Sequence, residues 1–139
     1  MIFVGEDMCI TLESDYAVRI IGVLAADGGR LDAKTLSEQT GVTLRFSLKI
    51  LRKLVSAGIV RSYKGMQGGY ELAKDPSQIT LYDAVCAIEG EYHINRCHED
   101  DFICTRTEKK LCRYRPVFEE VSRTIADRLS ACTFADMKE

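Results

Sequence analysis

Residues 41–72, GVTLRFSLKILRKLVSAGIVRSYKGMQGGYEL, hold the pattern that decides the fold. Thr43 is of the type that caps a helix N-terminus, and behind it Phe46, Ile50, Leu51 and Leu54 recur at spacings of three and four. Arg45, Lys49, Arg52 and Lys53 fall largely on the other surface, so this helix buries one face and offers a cationic one. Ala57-Gly58 stops it. Two short alternating segments follow, residues 59–63 and 69–72, joined by Lys64-Gly65-Met66-Gln67-Gly68, which predicts a β-hairpin with a glycine-rich, basic tip.

Working outward, Asp32 caps a shorter helix reaching Gln39, and Thr40-Gly41 makes a tight turn between it and the Thr43 helix. Helix, turn, helix, hairpin is the order of a winged helix-turn-helix, in which the second helix enters the major groove of double-stranded DNA and the wing reaches the minor groove or backbone. A surface amphipathic helix beside an ordinary hairpin is the plainer alternative, and pattern alone leaves it open.

The first helix of the chain is expected to begin at Thr11 or Ser14 and run to about Ala26. Its buried stripe is read as Tyr16, Ile20, Val23 and Leu24, and Gly28-Gly29 ends it. Residues 1–7 carry no usable pattern. After the hairpin, Asp75-Pro76 breaks the chain, and Thr80-Leu81-Tyr82-Asp83 resembles a capping box opening a helix that stops near Gly90. Residues 91–113 lack a helical period and are rich in charge and cysteine. Pro116 suits the first turn of a final helix in which Val117, Val121, Ile125 and Leu129 recur every fourth residue, flanked by Phe118 and Ala126. Such a stripe either closes its own core or pairs with a second copy, and a two-fold homodimer would match inverted-repeat operators. The expected fold class is mainly α with a small β-hairpin. The expected division is a winged helix-turn-helix at residues 8–90, a cysteine-rich loop at 91–115, a dimerisation helix at 116–132 and a tail at 133–139.

At 139 residues the chain makes one compact domain with an extra helix, and its formal net charge of −2 excludes a protein that is basic throughout. Nucleic-acid contact must then rest on local segregation of charge, which the stretch from Arg45 to Lys64 supplies. No apolar run approaches a membrane span and no signal peptide is recognisable, so a cytoplasmic location away from membrane is expected, where thiols stay reduced. No Ser-His-Asp set, phosphate-binding glycine loop or paired acids suggest an enzyme; Gly68-Gly69 belong to the hairpin.

The chemistry sits in the loop. Cys97, Cys104 and Cys112 are spaced C-x6-C-x7-C, and thiolates are soft ligands for zinc or an iron–sulfur cluster. Zinc sites more often use a C-x2-C pair, whereas this wider spacing lets a loop wrap a larger object. Three thiolates leave a fourth ligand to come from elsewhere. His98 is poorly placed beside Cys97, and His93 is a candidate without other support. Cys86 reads as a small core residue, and Cys9 and Cys132 as incidental, although Cys132 extends the final apolar stripe.

Ser14-Asp15-Tyr16-Ala17-Val18-Arg19, Val42-Thr43-Leu44-Arg45-Phe46, Ser62-Tyr63-Lys64-Gly65, Gly68-Gly69-Tyr70-Glu71-Leu72-Ala73, Ala87-Ile88-Glu89-Gly90 and the three-cysteine loop together resemble the Rrf-type transcription regulators, the group of IscR, NsrR and RirA. The likeness runs from Met8 onward and is nearest to the NsrR-like iron–sulfur members. It implies a dimeric, sequence-specific DNA-binding regulator, a repressor, that senses redox state, nitric oxide or iron through a cluster on Cys97, Cys104 and Cys112. It also implies a fourth ligand: Asp15, supplied by the partner subunit to a 4Fe-4S rather than a 2Fe-2S cluster, since the residues after Cys112, Arg113-Tyr114-Arg115-Pro116, lack the histidine of IscR-like members. Aerobic purification strips exposed clusters of this kind. In such a regulator the candidate DNA contacts are Thr43, Leu44, Arg45 and Lys49 on the reading helix, and Arg61, Lys64 and Gln67 on the wing. Two alternatives remain at this point: a cluster-free member of the family that senses oxidants through the same thiols, and a zinc-stabilised protein-interaction module.

Overall fold

The structure, a computed structural model, describes residues 10–98, 102–108 and 111–137. Five α-helices and one hairpin follow in the order α1 (Leu12–Asp27), α2 (Ala33–Thr40), α3 (Leu44–Ser56), β1 (Val60–Tyr63), β2 (Gly69–Leu72), α4 (Leu81–Glu89) and α5 (Arg115–Ser130). Short 3-10 turns lie at Pro76–Gln78 and Arg96–His98.

Local chemistry sets the boundaries. Thr11, Asp32 and Thr43 each accept a backbone N–H three residues on, satisfying one of the four donors that a helix start leaves unpaired. Thr80 and Asp83 cap one another reciprocally at the start of α4. Gly28 and Gly41 end α1 and α2 in the left-handed conformation that glycine adopts without a steric penalty.

The core lies among α1, α3 and α4, where Ile20, Ile21, Leu24, Ile50, Leu51, Leu54 and Ala84 are buried together with Leu36 of α2 and with Ile59, Val60 and Ile79. Each large side chain of this set contributes roughly 1.5–3 kcal/mol by leaving water. The stripe expected on α1 is shifted: Tyr16 and Val23 are only half-buried, while Ala17, Ile21 and Ala25 are fully inside. On α3, Phe46 is 42% exposed and the small Ser47 takes the buried position. The Phe46 ring, on the third residue of the helix, meets Tyr16 edge-on, with ring centroids 6.1 Å apart.

The antiparallel hairpin pairs Val60 with Leu72 and Tyr63 with Gly69. Leu31, in the α1–α2 connection, adds a bridge on the outer side of β2, exchanging backbone bonds of 2.9 and 2.7 Å with Tyr70. The wing is therefore hydrogen-bonded to the helical body on its free edge. At the far end of the chain, Phe134 is 4% exposed and its N–H donates to the Ile79 carbonyl at 3.0 Å, so the segment after α5 returns to the core. The stripe of α5 does not close that core: Val117 and Val121 are 58% and 41% exposed, and Ser122 is the buried residue of the helix. No helix among the described residues is long and apolar enough to cross a membrane.

Candidate nucleic-acid interface and cysteine loop

The outer face of α3 presents Leu44, Arg45, Phe46, Leu48, Lys49 and Arg52 around one open concavity. Thr43 stands at the positive end of this helix. Its hydroxyl oxygen accepts the Phe46 N–H at 3.3 Å, and its O–H remains a donor toward a phosphate or base. Arg45 and Arg52 form no ion pair among the described residues, and Arg45 projects from the first turn with Leu44, itself 46% exposed. Arg52 is a cation of this face that the candidate set left out, although its spacing from Arg45 and Leu48 marks the same side.

Lys49 is differently placed. Glu13, in the first turn of α1, accepts from Lys49 Nζ at 2.5 Å through one carboxylate oxygen and from Lys53 Nζ at 2.8 Å through the other. These bonds hold the Glu13 carboxyl down to about 2, below its usual range. Exposed ion pairs contribute only about 0.2–1 kcal/mol each, so this clamp matters for where charge stands more than for holding the fold. The start of α1 is itself fixed from α4: Glu89 accepts the Thr11 N–H at 3.2 Å and the hydroxyl of buried Ser14 at 2.7 Å.

The wing tip carries Lys64 and Gln67 exposed, with Arg61 exposed on β1. Arg30 braces this tip from outside. Its guanidinium lies 3.5 Å from the centre of the Tyr63 ring and donates to the Gln67 carbonyl at 3.1 Å. Tyr63 in turn donates its hydroxyl to Glu71 across the hairpin. Gly68 and Gly69 are required by close approach: a Cβ at Gly68 would stand 2.5 Å from the Tyr63 carbonyl oxygen, and one at Gly69 2.7 Å from that of Leu31.

The cysteine loop leaves α4 and is pinned to α5, where the Ser122 hydroxyl accepts the Ile94 N–H at 3.0 Å. Backbone N–H groups of Arg106 and Thr107 hold the Cys104 thiol below its ordinary pKa. Those of Arg115 and Tyr114, at the start of α5, do the same for Cys112, and Arg106 Nη2 stands 3.9 Å from the Cys112 sulfur. These donors stabilise the thiolate form of each sulfur relative to a free thiol, and the thiolate is the form that binds soft metals. Cys97 is half-buried in the 3-10 turn. Among the described residues no three Cys, His, Asp or Glu side chains of one chain gather closely enough to hold a metal ion. The donors suit an iron–sulfur group chemically, and closing a site around it requires the loop to draw its sulfurs together or a ligand from outside the chain.

Asp15 is 43% exposed at the side chain and pairs with Arg19 at 2.9 Å, one turn along α1. It therefore stands partly open to solvent on the surface of α1. Of the remaining thiols, Cys86 is half-buried against Tyr82 and its pKa is raised by burial. Cys132 is half-buried and accepts from Arg128 at 2.9 Å. His93 lies 3.5 Å from Glu91. Cys9 and residues 1–7 lie outside the described residues.

The Rrf2 family, described as "Iron-dependent Transcriptional regulator", matches residues 10–139. Protein rrf2 of Nitratidesulfovibrio vulgaris is 28% identical over 132 residues, 94% of this chain and 87% of that protein. Among solved structures, IscR of T. potens superposes with a TM-score of 0.72 at 27% identity, covering 94% of this chain and 85% of that one. CymR (YrzC), the global cysteine regulator of B. subtilis, superposes with a TM-score of 0.76 at 21% identity, covering 94% and 96%.

Proposed function

This chain belongs to the Rrf2 family of transcriptional regulators and is a DNA-binding winged-helix protein rather than an enzyme, and from that premise we propose that it is a cytoplasmic homodimeric repressor reporting redox, nitric oxide or iron status through an iron–sulfur cluster. The observation that carries the sensing part is the setting of two loop thiols: Arg106 Nη2 stands 3.9 Å from the Cys112 sulfur, and backbone N–H groups lower the pKa of both Cys104 and Cys112. Cys97, Cys104 and Cys112 are the thiolate ligands in this reading, and the partner subunit's Asp15 is the fourth. A carboxylate is a harder and more easily displaced donor than sulfur, which suits the end of a site that must respond to small oxidants. When bound, the cluster supplies the redox and ligand-exchange chemistry that the side chains lack.

Dimerisation is supported by the exposed apolar residues of α5, and Asp15 by its surface position on α1. α1 also carries Glu13 against α3, so a pull on the Asp15 turn is transmitted to the reading helix. Half-site spacing on an inverted-repeat operator is strict, and a small rotation of one reading helix against its partner weakens binding. Thr43, Leu44, Arg45 and Lys49 read the major groove in this scheme, and Arg61, Lys64 and Gln67 follow the backbone or minor groove.

The deciding experiment is iron and acid-labile sulfide content, with an absorption spectrum, on protein purified without oxygen, followed by operator binding with and without nitric oxide. About four irons and four sulfides per chain support a 4Fe-4S sensor. A second reading, thiol sensing without a cluster, is favoured by the same lowered thiols of Cys104 and Cys112. Iron-free protein that keeps redox-dependent DNA binding selects it.

A further inference from the structure

We propose that Glu13 sets DNA selectivity by withholding Lys49 and Lys53 from the phosphate backbone, so that sequence-independent binding draws on Arg45, Arg52 and the wing alone. The inference rests on the DNA-binding reading of α3 and concerns a residue outside the candidate contact set.

Four cations lie along α3, and the structure divides them. Phe46, Lys49 and Lys53 follow one another on the side of α3 that meets the start of α1, where Tyr16 packs on Phe46 and each oxygen of Glu13 takes one lysine. Arg45 and Arg52 have no ion-pair partner among the described residues. Glu13 is not a wandering surface acid. Its side chain is 27% exposed, and its turn is fixed by the bonds from Thr11 and Ser14 to Glu89. Lys49 and Lys53 keep 52% and 37% exposure, so both can reach solvent once released.

Non-specific affinity for duplex DNA grows with the number of phosphates neutralised, and each neutralised phosphate adds about 0.9 to the slope of log affinity against log salt. A carboxylate bound to two ammonium groups competes with phosphate for both. In an operator complex Lys49 can exchange the carboxylate for the acceptors of a guanine edge as well as for a phosphate, a gain that random sequence does not offer. Glu13 thereby lowers affinity for random sequence more than affinity for the operator, which widens the ratio between them.

The test is the binding of the full-length chain and of Glu13→Gln to a random-sequence 30-base-pair duplex across roughly 50–200 mM salt, the span over which counterion release is read. Glu13→Gln is expected to steepen the slope by about one to two and to tighten binding about three- to tenfold at the lower salt. Adding Lys49→Gln and Lys53→Gln to that variant returns it to the parent slope. A second comparison leaves Glu13 in place: Lys53→Gln keeps the parent slope, whereas Arg52→Gln lowers it by about one. An unchanged slope in Glu13→Gln, or a fall in Lys53→Gln equal to that in Arg52→Gln, overturns the proposal while leaving the DNA-binding reading intact. Failure of the parent chain to bind duplex in a salt-dependent way overturns both.

Discussion

Arg45 stands exposed in the first turn of α3, where a guanidinium can take both acceptors of a guanine. Arg45→Ala is expected to cost roughly 1–3 kcal/mol of operator binding and to relax preference at one base. An equal loss on all sequences in a competition assay would make it a phosphate contact instead. Gly69 is a different kind of residue: with φ of 143° and a Leu31 carbonyl oxygen 2.7 Å from any added Cβ, it has no room for a side chain. Gly69→Ala should lower unfolding stability by about 1–3 kcal/mol, read from the urea midpoint, because strain and the broken Leu31 bridge fall on one position. Both residues were legible as parts of a reading helix and a wing. The Leu31 contact was not, since a bridge between a loop and a later strand leaves no periodic trace.

At the scale of elements, α2 depends on its cap. The Asp32 carboxylate accepts the Thr35 N–H at 2.7 Å, and that bond holds its pKa below the ordinary value. A group depressed in the folded state stabilises above its unfolded pKa and loses that contribution as pH falls through the folded one. Stability carried by the α2 cap therefore declines below about pH 4, the ordinary carboxylate value. Asp32→Asn, a cap of similar strength without a titrating proton, is expected to flatten this part of the acid limb in thermal melts at pH 2 to 5. An unchanged limb would show that other carboxylates dominate there. The wing depends on Arg30, which lies over Tyr63 and donates to the Gln67 carbonyl. Arg30→Ala should leave the melting temperature within about 2 °C, as a surface change does, while weakening DNA binding through a looser wing. A large drop in melting temperature would instead make Arg30 part of the structural frame.

For the whole molecule, the core and the proposed subunit contact are separate. The buried set lies among α1, α3 and α4, with Phe134 returning to it, while Val117, Phe118 and Val121 remain at the surface of α5. Val121→Glu is therefore expected to give a folded monomer by sedimentation, with an intact far-ultraviolet spectrum and greatly reduced operator affinity. A variant that stays dimeric would move the subunit contact to another face. Cluster retention tests the same assembly from the sensing side. Asp15→Ala should lose iron faster than the parent under air, and spectra and nitric oxide response that do not change would remove Asp15 from the ligand set.

The amino-acid sequence by itself determined where helices start and stop, which stretch turns back as a hairpin, and that three thiols share one loop. Those features are written within a few residues of one another: a cap and the N–H three positions on, a period of 3.6 or 2, a glycine at a turn. Tertiary structure alone decided which charges are available. Glu13 and Lys49 are 36 positions apart, and Glu13 reads locally as an acid favoured by a helix N-terminus, with nothing to tie it to α3. The same holds for Phe46, drawn by its period as a core residue but 42% exposed and set against Tyr16 of α1, while Ser47 takes the buried position. It holds again for α5, where Val117 and Val121 stay at the surface while Phe134, from beyond the helix, enters the core. Backbone pattern is local, whereas the partition of one helix surface into buried, neutralised and free sides depends on which distant segments pack against it.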